Sequence, residues 1–202
     1  MEYFVEMTTH VPVGTPEQAV DAIKTREAAR ARELAADGHL LRLWRPPLAP
    51  GEWRTFGLFS AADDDPLEEA LASMPLRVWR RDEVTPLSAH PNDPGATSGR
   101  DGSEFLITLD VTVPDGTPAQ AVDDLKARET VRARELAAQG RLVRLWTPPT
   151  PPGRWRTWSL WSACDAAELA TTLESLPLYD WMSVESTPLS VHPNDPVNGT
   201  RS

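Results

Sequence analysis

Thr85-Pro86-Leu87-Ser88-Ala89-His90-Pro91-Asn92-Asp93-Pro94 returns 102 residues later as Thr187-Pro188-Leu189-Ser190-Val191-His192-Pro193-Asn194-Asp195-Pro196, and the match runs back from there without a gap. Of the 93 pairs from Glu2/Glu104 to Pro94/Pro196, 52 are identical. The chain is a tandem duplication, so both copies must share one fold, and two copies are too few for a solenoid. The repeat predicts domains at 1–94 and 104–196, an extended, exposed linker at 95–103 and a short tail at 197–202. A symmetric dimer interface becomes intramolecular once subunits are fused, so the expected arrangement is a pseudo-dimer packed about a pseudo-twofold axis.

Working outward, each copy reads as strand, long helix, two strands, short helix and strand. Tyr3, Val5 and Met7 alternate with Phe4, Glu6 and Thr8, and Phe105, Ile107 and Leu109 repeat the pattern. Thr15-Pro16 and Thr117-Pro118 offer a cap and a first-turn proline. Gly38 and Gly140 stop the helix about twenty residues on. Strands are expected at 40–44 and 53–59, with twins at 142–146 and 155–161. Short helices at about 66–73 and 166–175 lead to last strands at 79–84 and 181–186. The class is α+β, with the ferredoxin-like order βαββαβ in each copy.

Composition narrows the function. A net charge of −10 argues against nucleic acid or an anionic membrane surface as partner. One cysteine, Cys164, excludes an internal disulfide, and no Cys/His cluster has metal-ligand spacing. The N-terminal residues lack the pattern of a secretory signal, and no apolar run approaches the roughly 18 residues of a membrane helix. The expectation is a soluble cytoplasmic protein acting on a small molecule.

The chemistry is expected on the long helix. Its apolar stripe runs Val20, Ile23, Ala31 and Leu34, yet the position between Ile23 and Ala31 is Glu27. The second copy repeats this with Val122, Leu125, Glu129, Ala133 and Leu136. Burying a carboxylate costs several kcal/mol unless it is paired or functional. One reading makes it half of a Glu-Arg pair with Arg30, or Arg132, three residues on. The other makes Glu27 and Glu129 general bases in a cavity between helix and sheet.

Ile23-Lys24-x-x-Glu27, Leu34-x-x-x-Gly38, Leu43-Trp44-Arg45, Gly51-x-Trp53, Met74-Pro75-Leu76 and Val84-Thr85-Pro86-Leu87-x-x-His90-Pro91 together resemble the muconolactone isomerase family. The resemblance spans nearly all of each copy. It implies a domain of the dimeric α/β-barrel type, and a proton shift across an unsaturated lactone without a cofactor. It also implies roles for Lys24 and Glu27, and for Lys126 and Glu129. The family's members are single-domain chains that assemble into rings.

The departures carry information of their own. The family's polar third strand is here Trp53-Arg54-Thr55-Phe56-Gly57 and Trp155-Arg156-Thr157-Trp158-Ser159, which suits a larger or more aromatic ligand. Arg45 becomes Thr147, His10 becomes Thr112 and His39 becomes Arg141, so the first site is expected to be the more active. Candidate binding residues are Lys24, Arg30, Arg45, Trp44 and Trp53, with Lys126, Arg132, Trp146 and Trp155 in the second copy. His90 and His192 are read as turn or packing residues. Arg80, Arg81 and Asp82 make the first copy's last strand highly charged, which discourages strand-to-strand association and predicts a monomer or small homo-oligomer. Three functions fit these residues: a muconolactone-isomerase-like enzyme, an isomerase or cyclase of natural-product biosynthesis, or a binding or structural module without turnover.

Overall fold

The computed structural model describes residues 1–96 and 98–199. Thr97 of the expected linker and residues 200–202 of the expected tail lie outside the described residues. The order is β1 (Glu2–Thr9), α1 (Glu17–Ala36), β2 (Leu40–Arg45), β3 (Arg54–Ser60), α2 (Asp64–Ala72) and β4 (Arg80–Ala89). The second copy gives β5 (Ser103–Val111), α3 (Ala119–Ala138), β6 (Leu142–Thr147), β7 (Trp155–Ala163), α4 (Ala166–Glu174) and β8 (Met182–Val191). A 3-10 turn precedes each last strand, at Pro75–Trp79 and Tyr179–Trp181.

Among the described residues two compact units result, Met1–Leu87 with the chain from Ser190 on, and Ser88–Leu189. The units and the sequence repeats divide the chain differently: the end of each repeat belongs to the unit built mainly from the other. In the first unit the antiparallel order is β4-β1-β3-β2, and Ser190 and Val191 of β8 add to the free edge of β2 opposite Arg45 and Trp44. In the second unit the order is β8-β5-β7-β6, and Ser88 and Ala89 of β4 add to β6 opposite Thr147 and Trp146. Each unit has the ferredoxin-like α+β fold read from the sequence.

The exchanged tails are anchored by buried charge. Asp195 sits in the first unit against Arg42, with Nη2 to Oδ2 at 3.1 Å, and accepts the Leu43 N–H at 3.3 Å. Asp93 does the same in the second unit with Arg144 at 3.1 Å and the Leu145 N–H at 2.8 Å. The His-Pro-Asn-Asp motif is thus a latch whose aspartate closes on an arginine of the second strand. Arg42 and Arg144 stack their guanidinium groups on Trp44 and Trp146 at 4.7 and 4.9 Å.

Each core lies between sheet and helices. In the first unit Tyr3, Val5, Met7, Leu40, Leu43 and Phe59 from the sheet meet Ala31 and Leu34 of α1 and Leu67 and Leu71 of α2. Gly57 matters because a Cβ there would stand 2.5 Å from the Phe59 ring. Its twin Ser159 meets a repositioned Trp161, whose indole N–H it accepts at 2.8 Å.

Three expectations need correction. Thr15 and Thr117 do not cap their helices: their hydroxyls donate to Pro12 O and Pro114 O, at 2.7 and 2.6 Å, closing the preceding turn instead. The last strands run past the Thr-Pro-Leu-Ser segments, because up to Leu87 β4 pairs only with β1 within its unit, and an edge strand tolerates Pro86. On either side of Thr97 the connector is laid against the second unit, where the Ala96 N–H donates to Val143 O at 3.3 Å and the Arg100 N–H to Gly140 O at 3.1 Å. A Cβ on Gly99 would collide with Ser162.

Candidate functional site

Between α1 and the sheet of the first unit lies a cavity of about 480 Å³, and the second unit has its counterpart of about 380 Å³. Strand alternation sends Met7, Thr9, Leu43, Trp53 and Thr55 to the first cavity, and α1 sends Lys24, Glu27 and Ala31. Arg45 reaches it from the end of β2, and His192 and Asn194 from the exchanged tail.

Glu27 is 7 % exposed. Its Oε2 accepts the Leu76 N–H at 2.8 Å, an amide left free at the start of the 3-10 turn. Its Oε1 accepts from Arg80 Nη1 at 3.1 Å. Burial pushes the carboxyl above its usual range, the Leu76 N–H and then Arg80 pull it back, and Asp82 adds to the rise. Arg80, itself buried, is shared: it also donates to Asp82 at 2.6 and 3.0 Å, and Asp82 takes a further bond from Arg77 at 2.5 Å. The helix carboxylate therefore caps a network of Glu27, Arg80, Asp82, Arg77 and Glu68 that reaches to β4 and α2.

Arg30 is not its partner. It donates to Ser73 at 2.8 Å and to Glu33 at 2.8 Å, tying α1 to the end of α2, and Arg132 does the same with Ser175 and Glu135 at 2.9 Å. Three residues along a helix places an arginine nearby but does not aim it inward. Trp44 and Trp146 are fully buried on their arginines and do not line the cavities. Lys24, Arg45 and Trp53 do line the first, and Lys126 and Trp155 the second. The Lys24 ammonium sits 5.3 Å from the centre of the Trp53 ring and that of Lys126 4.0 Å from Trp155.

The sequence reading missed Arg80, Asp82 and His192. Arg80 and Asp82 were expected to charge an exposed strand; instead their side chains are each 2 % exposed, and only Arg81 and Glu83 face solvent. Period-two alternation along β4 was the available signal, since residues two apart share a face. His192 Nδ1 accepts the Asn194 N–H at 3.1 Å, so the neutral ring carries its proton on Nε2. Burial and then Arg45 depress its pKa to about 4. At neutral pH it is therefore an uncharged ring with an Nε2–H free to donate. His90 repeats the bond to the Asn92 N–H at 3.1 Å in the second cavity.

The second site departs from the first at its charges. Glu129 accepts the Leu178 N–H at 3.1 Å, but Met182 and Val184 stand where the first unit has Arg80 and Asp82. Among the described residues no ion pair reaches Glu129, and burial pushes its carboxyl above the usual range against the opposing Leu178 N–H. A raised folded-state pKa favours the folded state below the unfolded value of 4.5, and that stability is lost as pH rises through the folded value. Glu129→Gln should therefore raise the melting temperature at pH 7 and leave it unchanged at pH 4. An equal shift at both values would contradict an uncompensated carboxyl.

The family model described as muconolactone delta-isomerase matches twice, over residues 1–93 and 103–195, and the chain belongs to that family. The muconolactone delta-isomerase of Cupriavidus pinatubonensis is 34% identical over 92 residues, 46% of this chain and 97% of that protein. Muconolactone delta-isomerase 1 of Acinetobacter lwoffii is 33% identical over 90 residues, 45% and 91% respectively. Among solved structures, a heme-binding protein from Thermus thermophilus matches 99% of this chain and 95% of its own at 12% identity and a TM-score of 0.59. Chlorite dismutase from Candidatus Nitrospira defluvii matches 94% and 91% at 11% identity and 0.58. These two likenesses concern the fold alone. Among the described residues, no helix is long and apolar enough to cross a membrane.

Proposed function

We propose that the first cavity catalyses a cofactor-independent proton shift on a small unsaturated lactone, or related carbonyl compound, that carries a carboxylate. The observation supporting this most is Glu27 itself, a cavity-lining carboxyl with a raised pKa on an otherwise apolar helix stripe. In this reading Glu27 takes the proton from the saturated γ carbon of an α,β-unsaturated lactone, and the C–H electron pair moves through the double bond into the carbonyl to give a dienolate. The charge that develops on the carbonyl oxygen is met by the Nε2–H of His192. The proton held on Glu27 then returns to the other end of the dienolate, moving the double bond and restoring the carboxylate. Lys24 and Arg45 hold the ligand's own carboxylate. A binding module without turnover is the second reading, favoured by the bond that already occupies Glu27 Oε1.

The test is double-bond migration in muconolactone, followed by absorbance. Arg45→Ala should raise KM about 10- to 100-fold, as expected for one lost charge-assisted bond, with kcat nearly unchanged. A loss confined to kcat would contradict the binding role of Arg45.

A further inference from the structure

We propose that the second cavity is a binding site of its own, for a neutral, apolar lactone or related carbonyl compound, distinct from the carboxylate-bearing ligand of the first. The two cavities began as copies, so each lining difference compares directly. Arg80 becomes Met182, and Asp82, which holds Arg80 from outside the lining, becomes Val184. Thr9 becomes Val111, and Arg45 becomes Thr147, which does not line the cavity. Apart from Thr130, which stands where the first copy has Ala28 and whose hydroxyl accepts from Asn92 Nδ2 at 3.1 Å, the changes run from charged or polar toward apolar or uncharged, and the space has been retained at about 380 Å³.

What remains polar suits an uncharged acceptor. Lys126 lies closer to its tryptophan face than Lys24 does, 4.0 Å against 5.3 Å, so its charge is already engaged. His90 is held as a neutral ring by the Asn92 N–H. Glu129 has one oxygen on the Leu178 N–H and no cation partner among the described residues. A carboxyl surrounded by leucine, valine, methionine and tryptophan side chains favours its protonated form, and that form donates. A ligand carbonyl can accept that O–H, whereas a ligand carboxylate would bring a second acid into a site stripped of arginine. Glu129 therefore selects a neutral compound where Glu27, with Arg80 and Arg45 near, selects an anion.

The experiment uses the full chain and two matched, saturated probes that have no double bond to move: (5-oxotetrahydrofuran-2-yl)acetate and its propyl ester. Each is titrated calorimetrically into wild type, Ala31→Leu and Ala133→Leu, which fill the first and second cavities respectively. The ester should lose about tenfold or more in affinity with Ala133→Leu and hold within about twofold with Ala31→Leu, while the acid shows the reverse. Should Ala133→Leu fail to fold by circular dichroism, Met182→Arg makes the same comparison, weakening the ester. The proposal is overturned if the acid displaces the ester, if the ester ignores the second-cavity substitutions, or if wild type does not bind the ester. Acid binding that ignores Ala31→Leu, with the ester still lost in Ala133→Leu, would instead overturn the reading of the first cavity and leave this one standing.

Discussion

Arg80→Met should destabilise the protein by about 3 to 5 kcal/mol, and adding Asp82→Val should recover part of that loss, Glu27 remaining as Glu129 does in the second unit. The arginine is buried and serves two carboxylates, Glu27 at 3.1 Å and Asp82 at 2.6 Å. Removing it leaves two acids in a low-dielectric site, with only Arg77 still bonded to Asp82. The double variant writes the second unit's own solution, Met182 and Val184, into the first. Apolar replacement of a complete buried ion pair is often neutral or stabilising, whereas removal of one member is costly. Urea denaturation of the single and double variants measures both steps. Equal destabilisation in the two would mean that Arg80 acts through packing rather than charge.

Glu27→Gln should do the opposite, sparing stability and removing activity. Its partner Arg80 keeps Asp82, so no cation is left buried alone, and the Leu76 N–H can still donate to the amide oxygen. The expected stability change is within about 1 kcal/mol, the net worth of one hydrogen bond. Turnover should fall by roughly 10²- to 10⁴-fold, the usual contribution of a general base. In wild type, kcat/KM should rise with pH through a value above the ordinary glutamate range, because burial raises Glu27 and only the ionised form accepts a proton. A melting temperature that falls in proportion to activity would favour the scaffold reading.

The duplication, the helix lengths and the βαββαβ order were legible because each has a local cause: positional identity, glycine stops at positive φ, and a change of period from 2 to 3.6. Gly38 and Gly140 end α1 and α3 at φ 76° and 68°, conformations a side chain resists. The misplaced carboxylate was equally legible, since a stripe at helical spacing exposes any residue that breaks it. Its partner was not. Sequence distance offered Arg30, while the fold brings Arg80 across 53 residues, and only the alternation of Arg80 and Asp82 against Arg81 and Glu83 hinted at an inward charged face. The exchange of tails was hidden for a similar reason. His192, Pro193 and Asn194 complete a cavity whose other walls come from residues 7–80, and identical copies of a latch do not reveal which copy it closes.

Isotope exchange tests proton transfer by Glu27 most directly. Muconolactone incubated with the protein in D2O, and followed by ¹H NMR, should lose signal at the carbons flanking the migrating double bond. With Glu27→Gln that exchange should slow by the same roughly 10²- to 10⁴-fold as turnover. Undiminished exchange in a folded Glu27→Gln protein would contradict the assignment of Glu27 as the base.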